Sequence, residues 1–169
     1  MNTLNDKTVW DAGEKEPFIN GLRIKFVRRK ILSRASRSTH KTIMDIGCGN
    51  SATFLRSVQG TFEHRFGVDF NIDTNKLKNY GITPLLGDAL SVLQHTDDDS
   101  IDIITFLSIM EHVPPEQHVA ILKECRRVLR KNGFIFINSP SWFGKFVLED
   151  IIIRFFDTKK CMHRKLIPI

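Results

Sequence analysis

Cysteine is scarce and odd in number. Cys48, Cys125 and Cys161 lie far apart, in no metal-ligand spacing. That argues against a disulfide framework or a cysteine-based zinc site and points to a reducing compartment. No run approaches the roughly 20 apolar residues needed to span a bilayer. Residues 1–16 are polar and lack the apolar core of a signal peptide, so a cytoplasmic location is expected. Internal repeats and low-complexity tracts are also missing. Acids are absent between Pro17 and Met44, where eight Lys or Arg residues fall. Such a segment can touch nucleic acid, anionic lipid or an acidic partner. The simpler reading is an amphipathic helix with a solvated basic face, because Ile19, Leu22, Phe26, Val27, Ile31 and Leu32 recur at helical spacing.

What is present is an ordinary globular composition, 41% apolar and 26% charged, over 169 residues, enough for one domain with a single core. Three parts are expected: a basic N-terminal segment (1–40), a core (41–140), and a C-terminal helix and tail (141–169). From residue 42 short apolar runs alternate with helical patterns, as in parallel strands joined by crossover helices. Strands are expected at 43–46, 65–69, 83–86, 101–107 and 134–138, with helices at 52–58, 74–80, 88–93 and 116–131. The run at 101–107 suits a central strand covered on both faces. In the last of these helices Val119, Leu122, Cys125 and Leu129 share a face that Ile121 and Val128 widen, and Asn132-Gly133 supplies a stop.

Ligands of an open parallel sheet sit beyond the carboxyl ends of its strands. Here those ends carry Asp45-Ile46-Gly47-Cys48-Gly49-Asn50-Ser51, then Asp69, then Asp88-Ala89, then Ser108 with Glu111 and His112. Asp69 lies 20 residues beyond Gly49, where a carboxylate can accept from both hydroxyls of a ribose. Asp88 with the backbone of Ala89 can read an adenine edge, or Asp88 can cap a helix. The turn alone is ambiguous, since Gly47-Cys48-Gly49-Asn50-Ser51-Ala52 also satisfies a nicotinamide-dinucleotide pattern. Asp45 immediately before the turn suits an ammonium better than a pyrophosphate. Three acids around one pocket complement a donor bearing a sulfonium, an ammonium and a ribose.

The ordered set 43–51, 66–71, 85–89, 102–113 and 121–140 resembles the class I S-adenosylmethionine-dependent methyltransferases, especially the group containing the ubiquinone and menaquinone enzymes. The resemblance covers about residues 40–140. It implies an α/β, Rossmann-like, doubly wound, mostly parallel sheet and S-adenosyl-L-methionine as cofactor. It further implies that Asp45, Gly47 and Gly49 hold the methionine end, Asp69 the ribose and Asp88 the adenine, with the backbone of Leu107 and Ser108 under the sulfonium. Cys48, Phe70 and Ala89 are counted with these donor contacts. Two departures matter. Ser51 replaces the third motif glycine, and Ser108-Ile109-Met110-Glu111-His112 lacks the first carboxylate of the metal-holding pattern Glu-x-x-Glu-His, so no metal is expected. The Asn-Pro-Pro-Tyr motif of amino-methylating nucleic-acid enzymes is missing, so DNA is not an expected partner.

His112 is the candidate catalytic base for a hydroxyl acceptor; packing or capping of the following helix is the alternative. The acceptor class is a small or lipid-like molecule. Only 29 residues follow Pro140. Residues 141–156 read as one aromatic-rich helix, and the usual terminal strand hairpin of the fold is expected to be lacking, as in a truncated member. The apolar segment at 142–156 can be a lid, a membrane-surface contact, a protein or homo-oligomer interface, or simple packing on the sheet. An inactive donor-binding protein that needs a partner is therefore an alternative to an active enzyme, with a nicotinamide-dinucleotide binder behind both.

Overall fold

The apolar runs along the central strands are nearly continuous because helices cover both faces of the sheet. The computed structural model describes residues 17–35, 40–140 and 148–154. Its strands are β1 (Thr42–Ile46), β2 (His64–Asp69), β3 (Thr83–Leu86), β4 (Ile101–Leu107), β5 (Leu129–Pro140) and β6 (Leu148–Arg154). Its helices are α1 (Pro17–Ala35), α2 (Thr53–Ser57), α3 (Thr74–Asn79), α4 (Ala89–Gln94) and α5 (Pro115–Val128), with a 3-10 turn at Met110–His112. The strand order is β3-β2-β1-β4-β5-β6, and every pairing is parallel except β5 with β6. Strand order therefore reverses between β1 and β4, which opens a crevice at their carboxyl ends. Among the described residues no helix is long and apolar enough to cross a membrane.

Period-2 alternation divides the core. Ile43, Ile103, Phe134 and Phe136 face α1, α2 and α3, where Val27, Ile31, Leu55 and Leu77 are buried. Met44, Ile46, Ile104, Phe106 and Ile135 face α4 and α5, against Leu93, Ile121, Cys125 and Val128. The buried stripes of two helices match the expected ones in part. In α1 the buried series is Val27, Ile31 and Ala35, while Leu22 and Phe26 are exposed. In α5 the expected Ile121, Cys125 and Val128 are buried with Leu122 packed beside them, and only Val119 departs, 62% exposed. Helix α5 also ends earlier than residue 131, because Leu129 is drawn into the sheet opposite Ile101.

The helix expected over 141–156 is corrected by β6, which pairs antiparallel with β5 from Phe134↔Arg154 to Pro140↔Leu148. Ile151-Ile152-Ile153 is a run of β-branched residues that favours strand, and the open edge of β5 offers backbone groups to satisfy. An antiparallel strand thus follows the parallel set. Residues 141–147 and 155–169, with the lid and surface contacts expected of the 142–156 side chains, lie outside the described part.

The floor of the sheet is tied by Asp102, which is 5% exposed. Its Oδ2 accepts from the backbone N–H of Lys41 and of Thr42, both at 2.8 Å, and from Arg130 at 3.2 Å. Removing that acceptor strands two backbone donors where β1 begins. Asp102→Ala is expected to lower stability by about 2–4 kcal/mol in urea unfolding; a loss under about 0.5 kcal/mol, the scale of a surface substitution, would contradict the role given to it.

Candidate functional site

At the end of β1 the chain must turn without side-chain interference. Gly47 and Gly49 both have positive φ, +77° and +68°. A Cβ on Gly47 would stand 2.7 Å from the Ile109 side chain, whereas one on Gly49 would meet nothing within 4 Å. Glycine at 47 lets the loop after β4 close onto the turn, and glycine at 49 leaves open space beside it. The N–H groups of Gly47 and Cys48 donate to Val68 O at 2.8 and 3.1 Å, fastening the turn to β2. Asp69 at the end of β2 completes the clasp: Oδ2 accepts from Gly49 N at 2.9 Å and Oδ1 from Asn71 N at 3.3 Å.

Asp45 is 2% exposed and stands opposite Thr105 in the β1–β4 register. The Thr105 hydroxyl donates to Asp45 Oδ1 at 2.6 Å. Burial pushes the Asp45 carboxyl up to about 7; Thr105 and Arg23 oppose this, and Asp69 adds to it. Arg23 reaches in from α1 and donates to Ser108 Oγ at 2.6 Å. Burial lowers the pKa of its guanidinium, against the fields of Asp45 and Glu111. Ser108 is held in a left-handed conformation, φ 55°, with its N–H on Asn138 O at 2.7 Å. Glu111 accepts from Ser139 Oγ at 3.1 Å, which links the 3-10 turn to the end of β5.

Asp45, Gly47, Cys48, Gly49, Asp69, Leu107 and Ser108 are thus gathered at the ends of β1, β2 and β4. Cys48 is half-buried against Gly67, and burial pushes its thiol up, in keeping with a filler and not a nucleophile. Phe70 follows Asp69 and is 73% exposed. Asp88 caps α4, its Oδ1 accepting from Ser91 N at 2.8 Å, with Ala89 the first helical residue. Gly87 N–H donates to Asp69 O at 3.1 Å, which brings the end of β3 beside that of β2. His112 is exposed on the 3-10 turn, its N–H turned back to Ile109 O at 2.9 Å. Among the described residues no three His, Cys, Asp or Glu side chains group so as to hold a metal ion. Arg23 is the residue that sequence reasoning missed. It looked like one more cation of a solvated face, and only a tertiary contact 85 positions away distinguishes it.

The fold is a doubly wound α/β domain with an acid-lined crevice at its switch point. A family model described as a methyltransferase domain matches residues 44–137, and the chain belongs to that family, as a class I S-adenosylmethionine-dependent methyltransferase domain. Among curated proteins it is 28% identical over 159 residues to the ubiquinone biosynthesis O-methyltransferase of Glaesserella parasuis, covering 86% of this chain and 64% of that protein. It is 27% identical over 120 residues to the protein of the same name from Paraburkholderia phytofirmans, covering 67% and 50%. The chain therefore spans about half to two thirds of the length of these relatives. Among solved structures, a SAM-dependent methyltransferase from Archaeoglobus fulgidus superposes with TM-score 0.61 at 26% identity, covering 75% of this chain and 57% of that one.

The raised Asp45 carboxyl has a consequence for stability. Between its ordinary value of 3.8 and about 7 the native state holds a proton that the unfolded chain has released. This group's contribution therefore falls as pH rises through that window and stays low above it. Melting temperatures of the ligand-free protein should show this slope, and Asp45→Asn should remove it and melt higher than the unsubstituted protein at pH 8. Equal slopes in both proteins would contradict the assignment.

Proposed function

We propose that this chain is the donor-binding core of an S-adenosylmethionine-dependent O-methyltransferase acting on a small hydroxylated acceptor of quinone-like or lipid-like character. The observation that carries the reading is the placement of the buried Asp45 and the half-buried Arg23, of opposite charge, beside Asp69 at the switch point. A zwitterionic amino acid joined to a ribose matches that set, and the open space beside Gly49 leaves room for it. The names of the curated relatives support oxygen as the methylated atom and a quinone-like acceptor.

Each residue then has a definite task. Arg23 holds the donor's carboxylate, and Asp45 its ammonium. Asp69 keeps acceptor capacity for a ribose diol beyond its two backbone bonds. Asp88 has a second oxygen beyond the one that caps α4, and with Ala89 N–H it reads the adenine edge, while Phe70 offers a ring to cover the base. The backbone at Leu107 and Ser108 lies beneath the reacting end. The donor supplies a methyl group on a sulfonium, open to in-line displacement. The protein's main contribution is alignment of the acceptor oxygen, for which proximity accounts for about 7–11 kcal/mol of barrier reduction. His112 takes the acceptor's hydroxyl proton onto its imidazole as the nucleophile advances.

Calorimetry with S-adenosylmethionine and turnover of catechol-type acceptors test the reading together. Asp69→Ala is expected to weaken donor binding by about 10–100-fold. His112→Ala should leave donor affinity unchanged and cut turnover roughly 100-fold or more; unchanged turnover would remove the base. Failure to bind this donor, with binding of a nicotinamide dinucleotide instead, would overturn the whole. A second reading is a donor-binding core that acts only with a partner. Donor binding without turnover on any acceptor is its signature.

A further inference from the structure

We propose that Thr105 is a positioning residue, whose hydroxyl aims the buried Asp45 carboxylate into the crevice and holds it ionised for the donor's ammonium. The inference rests on the donor reading above and deepens it. Thr105 is fully buried in β4, flanked by Ile103, Ile104 and Phe106, which are equally inaccessible. A valine would fill the same volume among these neighbours, so packing does not call for an oxygen there. Burying a hydroxyl costs free energy unless it is bonded. Its contacts are Asp45 Oδ1 at 2.6 Å and Met44 O at 3.4 Å. A hydroxyl has one proton, and the short charge-assisted contact takes it.

The register makes this contact obligatory. Asp45 pairs with Thr105, and the adjoining pairs are Met44↔Ile104 and Ile46↔Phe106, whose apolar side chains belong to the opposite face of the sheet. The titratable groups around the carboxylate are Arg23 from α1, Asp69 from the end of β2 and Cys48 in the turn, with Glu111 beyond Arg23. Of these only Arg23 favours the ionised form. The hydrogen bond from Thr105 to the charged oxygen is the larger stabilising influence, and its loss leaves the desolvated carboxylate to take up a proton at higher pH. A protonated Asp45 has no charge to offer an ammonium.

The test compares Thr105→Val, Thr105→Ser and Asp45→Asn in the full chain. Carbon-13 NMR of the Asp45 carboxyl in the ligand-free protein should show its titration midpoint moving up by about one unit in Thr105→Val. Binding of S-adenosylhomocysteine at pH 7 should weaken by up to about tenfold, the deficit shrinking toward pH 8. Thr105→Ser, which keeps the hydroxyl, should restore both. A Thr105→Val protein that melts lower but keeps the titration and the pH profile of binding overturns the proposal. If Asp45→Asn weakens binding and Thr105→Val does not, the positioning role fails while the donor reading stands. If Asp45→Asn binds as tightly as the unsubstituted protein, both fail.

Discussion

The parallel pairing of β1 with β4 is the constraint from which the rest of the molecule is arranged. It joins the two halves of the sheet, so the strand order reverses there and the crevice opens at that seam. The same register sets Ile43 against Ile103 for one core face and Ile46 against Phe106 for the other. At one end of the seam Asp102 ties the first backbone groups of β1. Near the other end Asp45 meets Thr105. A slip of one residue would exchange the core faces and expose apolar side chains where the acid now sits. Stability and site geometry are therefore set by one pairing.

Electrostatics at the seam work against folding. A carboxylate is held out of water with one neutral donor and one cation near it, while a second acid raises its proton affinity. The guanidinium of Arg23 is likewise desolvated. Under the proposed function a zwitterionic ligand completes the pairing of both groups. Helix α1 has two roles in this arrangement. Val27, Ile31 and Ala35 close the core, and one turn before them Arg23 reaches the strand ends.

Much of this was legible in the sequence because it rests on local chemistry. The strand ends could be read from short β-branched runs stopped by glycine or aspartate, and β3 and β4 fall on the expected residues. Asp45, Asp69 and the two turn glycines follow from the backbone freedom and charge that such a crevice needs. The failures were tertiary. Leu22, Phe26 and Val119 have the spacing of a buried stripe yet stand outside it, while Val27, Ile31, Ile121, Cys125 and Val128 are buried as expected. The segment at 148–154 carries enough apolar residues to be read as either element, and the free edge of β5 decides for strand. Arg23 and Thr105 carry no local signal: one is a cation among cations, the other a β-branched residue in a strand.

In the proposed site the cluster around Asp45 holds the amino-acid end of the methyl donor while Asp69 holds its ribose. A crystal structure of this chain with S-adenosylhomocysteine tests that most directly. The expected result is the ligand's amino group on Asp45, its carboxylate on Arg23 and its ribose hydroxyls on Asp69. A ligand bound away from the ends of β1 and β2, or one lying in the crevice with its amino-acid end turned from Asp45, would contradict it.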